Sequence, residues 1–177
     1  RAAHELREFD KRDAYLAAAK GKTVGESTMR LVAATKFNLD QRQPQAALNA
    51  LKALRDSGVR GHIGALHLEL RAQQQARNWD AVLDVVNQLE KRDALDAAFA
   101  VQMRQLAWLE KLREHPQDAE SLRALWQTIP ADFRKRGKIV ASAARALMRM
   151  GDGQSAQKIL SDSLNAQWDG DLVTLYG

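Results

Sequence analysis

Four short stretches of the chain open in the same way and recur at nearly constant intervals. They are Gln43-Pro44-Gln45-Ala46-Ala47, Asn78-Trp79-Asp80-Ala81-Val82, His115-Pro116-Gln117-Asp118-Ala119 and Asp152-Gly153-Gln154-Ser155-Ala156. Pro44, Trp79, Pro116 and Gly153 lie 35, 37 and 37 residues apart, and three residues after each comes a small apolar residue: Ala47, Val82, Ala119 or Ala156. A period of this length holds two helices and two turns, with little chain left over.

Each marker reads as a turn followed by a helix, expected at 45–57, 80–91, 118–128 and 154–165, with an upstream helix at 26–40, 62–77, 95–114 and 138–150. Ala47, Leu48, Leu51 and Leu54 recur at the spacing of one helical stripe, and Val82, Leu83, Val86 and Leu89 repeat it. Ala156, Ile159, Leu160 and Ser163 form a weaker version, and in the third unit Leu122, Leu125 and Trp126 fall about one residue out of register. Composition agrees. With 30 Ala, 23 Leu and only 3 Pro, few residues favour strands, and the absence of Cys excludes disulfide scaffolds, thiolate zinc sites and iron–sulfur clusters.

The expected fold is therefore all-α: a tetratricopeptide-like right-handed superhelix of antiparallel helix pairs with a concave face. Residues 1–177 read as a single divergent array. Residues 1–22, with Leu6, Phe9 and Leu16, supply the second helix of a partial repeat; 26–57, 62–91, 95–128 and 138–165 are helix pairs; 166–177 begin a following segment. The repeats are divergent because the Trp…Leu-Gly…Tyr signature of the first helix is missing from every unit. A globular helical bundle is the plainer alternative.

Catalytic signatures are missing from the sequence. There is no Gly-rich phosphate loop, zinc helix or nucleophile elbow. His62 and His67 stand five residues apart, about 140° around a helix, and cannot chelate one metal from one face. Glu69, Glu110 and Glu114 lie on helices among Lys and Arg, the pattern of a solvated face. No enzyme activity and no metal or other cofactor is expected.

Positive charge is concentrated. The chain carries 27 Lys and Arg against 22 Asp and Glu, a net +5. The stretch 131–149 holds Arg134, Lys135, Arg136, Lys138, Arg145 and Arg149 against Asp132 alone, which equals the whole excess. This basic patch suits an acidic protein, an anionic membrane surface or nucleic acid, and its ordinary reading is a solvated loop. Nucleic acid is the weaker functional reading, since no aromatic residues are interleaved for base stacking.

The repeat register extends the charge into a groove. Eight residues before each marker stand Lys36, Arg71, Trp108 and Arg145; one turn earlier stand Val32, His67, Arg104 and Ala141; three residues later stand Leu39, Gln74, Lys111 and Met148. With Arg149 beside Arg145, Lys36, His67, Arg71, Arg104, Trp108, Lys111 and Arg145 make a mixed apolar and basic lining for an acidic segment. Trp108 has two possible places, as a partner anchor or as core between helices.

The stretch Leu122-Arg123-Ala124-Leu125-Trp126-Gln127-Thr128-Ile129-Pro130, the helix through Ala141 to Leu147, and Ala156-Gln157-Lys158-Ile159-Leu160 lead to a closing Gln167-Trp168-Asp169-Gly170-Asp171-Leu172-Val173-Thr174-Leu175-Tyr176-Gly177. This resembles the HemY family of proteobacterial tetratricopeptide proteins, as does Asn78-Trp79-Asp80 followed by Val82-Leu83-Asp84. The resemblance implies a role in late protohaem biosynthesis without established catalytic residues. It also implies an inner-membrane anchor of N-terminal helices with the repeats on the cytoplasmic side, this chain being a soluble excerpt that lacks them. Enzymes of late haem synthesis are the implied partners. The main reading is a non-enzymatic interaction scaffold. The alternatives are a haem or porphyrin carrier using the groove and, below that, an RNA-binding helical repeat.

Overall fold

The computed structural model describes residues 24–58, 62–114 and 117–166. Among them are nine helices and no strand: α1 (Val24–Asp40), α2 (Pro44–Asp56), α3 (Ile63–Gln75), α4 (Trp79–Glu90), α5 (Ala97–Glu114), α6 (Ala119–Thr128), α7 (Ala131–Arg134), α8 (Gly137–Arg149) and α9 (Gly153–Ala166). Eight of these are the helices the periodicity predicts, each end within two residues of expectation. The partial repeat at 1–22, His115 with the marker Pro116, and the closing segment 167–177 lie outside the described residues. The chain divides into two compact units between Ala97 and Ala98.

At three of the four markers the backbone makes the same turn. Arg42, Arg77 and Gly151, two residues before Pro44, Trp79 and Gly153, all take the left-handed conformation, with φ of 56°, 60° and 80°. Around each, two hydrogen bonds close back onto the ending helix. Arg77 N–H donates to the Gln74 carbonyl at 3.2 Å and Asn78 N–H to the Gln73 carbonyl at 2.9 Å, with equivalent pairs at Arg42 and Gln43 and at Gly151 and Asp152. This is the Schellman closure, which satisfies carbonyls that a helix C-terminus leaves unpaired. Asp93 adds a fourth instance with φ 53° at the end of α4.

In the first unit, the connection at 41–43 folds α2 back on α1 and that at 76–78 folds α4 back on α3. The α3 helix also packs on both α1 and α2. Their shared core is Leu39, Ala47, Leu51, Leu54 and Ala72, with Leu31, Val32, Leu48, Ala65 and Leu68 packed against it. The marker residues Ala47 and Val82 are 0 % and 1 % exposed and Ala156 1 %, so these side chains of the period lie in the core, while Ala119 is half-buried. Thr35, also buried, donates its hydroxyl to the Leu31 carbonyl at 2.8 Å and so leaves no polar group unpaired.

In the second unit, α8 packs against α9, α6 and α7. Its inner face buries Ile139, Val140, Ala143, Ala144, Ala146 and Leu147 completely or nearly so. Asp118 and Asp152 cap α6 and α9, accepting the backbone N–H of Ser121 at 2.7 Å and of Ser155 at 3.1 Å. The fold is thus all-α and made of packed neighbouring helix pairs, as a tetratricopeptide-like repeat requires.

The α7 helix was not anticipated. Pro130 opens it, its carbonyl accepting the N–H of Phe133 at 2.9 Å and of Arg134 at 3.0 Å, and buried Phe133 fastens the turn to the core. The signal was an apolar Phe133 just before the basic run, three residues after a proline suited to a helix start.

Candidate functional site

The basic run 134–138, read as one patch, is split by the fold into three different environments. Arg136 is used internally: Nη1 donates to Gln105 Oε1 at 3.0 Å, and the guanidinium lies 5.0 Å from the centre of the Phe133 ring. Arg134 and Lys135 line a cleft with Trp126, Ala131, Ile159, Asp162 and Ser163. Lys138 belongs to the outer face of α8.

That outer face is cationic. At 100° per residue, Lys138, Arg145 and Arg149 fall within about 40° of one another and span about 16 Å of helix axis. All three are exposed. Among the described residues no carboxylate forms an ion pair with any of them. Two acids of the unit are engaged elsewhere. Glu110 pairs with Arg113 at 2.8 Å, while Asp152 takes Arg123 and caps α9. Ser142 and the 40 %-exposed Met148 flank the stripe.

The other groove positions fall differently. In the first unit, Lys36 and His67 are exposed, and exposed Arg71 reaches Asp40 Oδ1 at 3.2 Å, bridging α3 to α1. In the second unit Arg104 and Lys111 are half-buried. Trp108 takes the second of its two expected places, as core: it is 7 % exposed, with Lys111 Nζ 4.9 Å from its ring centre. Leu39 and Ala141 are likewise buried, so much of the expected apolar lining has turned inward and left the cations outside.

The hydrogen bonds of Ser155, hydroxyl first and backbone N–H second, hold the Asp152 carboxyl below its ordinary value of 3.8, with Arg123 adding to the effect. At Asp118 the backbone N–H of Ser121 is the first cause of a shift in the same direction. Both groups are structural caps, distant in role from any acid–base couple. Among the described residues no group of three or more His, Asp or Glu is placed to hold a metal ion. No described helix is long and apolar enough to cross a membrane.

Among the described residues, the fold is that of an all-α protein of packed helix pairs with one basic helix face. In sequence the chain is similar to the protein HemY of Escherichia coli K12, with 24 % identity over 140 residues, which is 78 % of this chain and 35 % of that protein. The HemY proteins of Escherichia coli O157:H7 and Shigella flexneri match to the same extent. The chain thus spans about a third of the length of the curated relatives it matches, and the likeness is distant. No protein-family model matches it. No solved structure matches it either.

Proposed function

We propose that this chain is a non-catalytic interaction module of a HemY-related protein acting in late protohaem biosynthesis, and that an acidic partner docks on the outer face of α8. The distant likeness to HemY supports the pathway. The observation that carries the docking is the line of Lys138, Arg145 and Arg149, exposed on an ordered helix and without a described carboxylate partner. Such a line contributes little to the fold's own stability, since solvated charges on a helix surface gain little from one another. It contributes much to association, because complementary charge steers encounter and fixes register.

The function would be to hold enzymes of the pathway near one another. A membrane anchor of the kind that the resemblance implies would raise their effective concentration. The carrier reading would set a tetrapyrrole against Trp or Met of the groove; the Trp108 ring is core, which leaves it Met148, 40 % exposed. The interaction reading is preferred because the α8 cations are exposed on an ordered helix.

The test is photo-crosslinking from position 142, beside the stripe, in living cells. A late haem-pathway enzyme should be captured, and capture should be lost when Lys138, Arg145 and Arg149 are all changed to Glu while helical circular dichroism is kept. Capture that survives the charge reversal, or that brings down no pathway enzyme, overturns the proposal.

A further inference from the structure

The cleft between α6, α7 and α9 is a different surface from the α8 stripe, and its chemistry is specific. The geometry points to a binding site for a single carboxylate carried on a flat, apolar body. Its walls include the Trp126 ring, Ala131 and Ile159, and its polar groups are Arg134, Lys135, Ser163 and Asp162. The volume is about 270 Å³. The cleft opens to solvent and has room for an aromatic or aliphatic acid.

The donors are underused. Arg134 Nη1 has only a long, 3.4 Å contact to Gln127 Oε1, and its Nε is buried without an acceptor. The side chains of Lys135 and the buried Ser163 make no hydrogen bond or ion pair among the described residues. Arg134 lines the cleft without a short hydrogen bond, and a carboxylate is the acceptor that a guanidinium matches best. One Arg and one Lys against one Asp leave the cleft at +1, which suits an anionic ligand. Trp126 and Ile159 supply the apolar contact that orients the body.

This site does not depend on the haem reading or on α8. It is tested by following the indole N–H resonance of Trp126, assigned with a Trp126→Phe variant, while 3-phenylpropionate or its neutral amide is added to the chain. The acid should give a saturable shift, with the amide at least about tenfold weaker. Changing Arg134 and Lys135 together to Gln should weaken the acid about tenfold or more and leave the amide unchanged. Equal affinity for acid and amide, or no saturable shift through the millimolar range, overturns the assignment. A third probe, an end-blocked peptide carrying Phe followed by Glu, identifies the source. Binding at least as tight as the free acid points to an acidic protein segment, and binding of the free acid alone points to a small carboxylic acid.

Discussion

Arg123 on α6 donates through Nη1 to Oδ2 of Asp152, a residue 29 positions later, while Oδ1 of the same carboxylate caps α9 through the Ser155 N–H. One side chain thus ends the turn after α8, starts α9 and ties both to the preceding helix pair. The arrangement is local to the second unit and depends on the ionised carboxylate.

That dependence gives a pH signature. A carboxyl whose folded pKa is lowered contributes stability that is complete above its ordinary value of 3.8 and fades as pH falls through the folded value. Asp152→Asn should lower the Tm at pH 7 and reduce the loss on acidification below pH 3.8, measured by thermal melts across that range. Identical acid limbs for the two proteins would show that the cap does not titrate with folding.

The left-handed turn residues make opposite predictions at equivalent places. Arg42 occupies that conformation at φ 56° with a side chain, and Gly151 occupies it at φ 80° without one. Arg42→Gly should stabilise the chain by about 0.5–1 kcal/mol, and Gly151→Ala should destabilise it by about 1–2 kcal/mol. Urea unfolding with unchanged m-values is the measurement.

The small marker residues are expected to resist enlargement. Ala47 is 0 % exposed in the core formed with Leu39, Leu51, Leu54 and Ala72. Ala47→Leu should cost about 1–3 kcal/mol by overpacking. Leu51→Ala should cost about 2–5 kcal/mol by leaving a cavity, again read from urea unfolding.

The α8 stripe should behave in the reverse manner. Each of Lys138→Glu, Arg145→Glu and Arg149→Glu is expected to change stability by no more than about 0.5 kcal/mol, because no described carboxylate pairs with these residues. Their combination should abolish partner capture. A large loss of stability would mean that the charges serve the fold instead.

The helix pairs could be read from the chain because their causes are local. Ala47 and Val82 recur at fixed positions, apolar stripes follow the helical period, and the turn signals stand between them. Much of the site could not be read in that way. Trp126 looked like a residue that had slipped register, and Ser163 like the weak end of a stripe, yet the two line one cleft with Arg134. Arg134, Lys135, Arg136 and Lys138 looked equivalent, yet one is bound to Gln105, two line the cleft and one joins the α8 face.

By itself the sequence determined the all-α class, the period and the ends of the helices, since periodicity and turn chemistry act over a few residues. It also determined that the excess charge lies within 131–149. Only the tertiary structure decided which cations are consumed and which are displayed, and that Trp108 is core. Those outcomes depend on side chains from distant helices, such as Gln105 against Arg136 and Ser163 beside Trp126, that meet only when the helices pack.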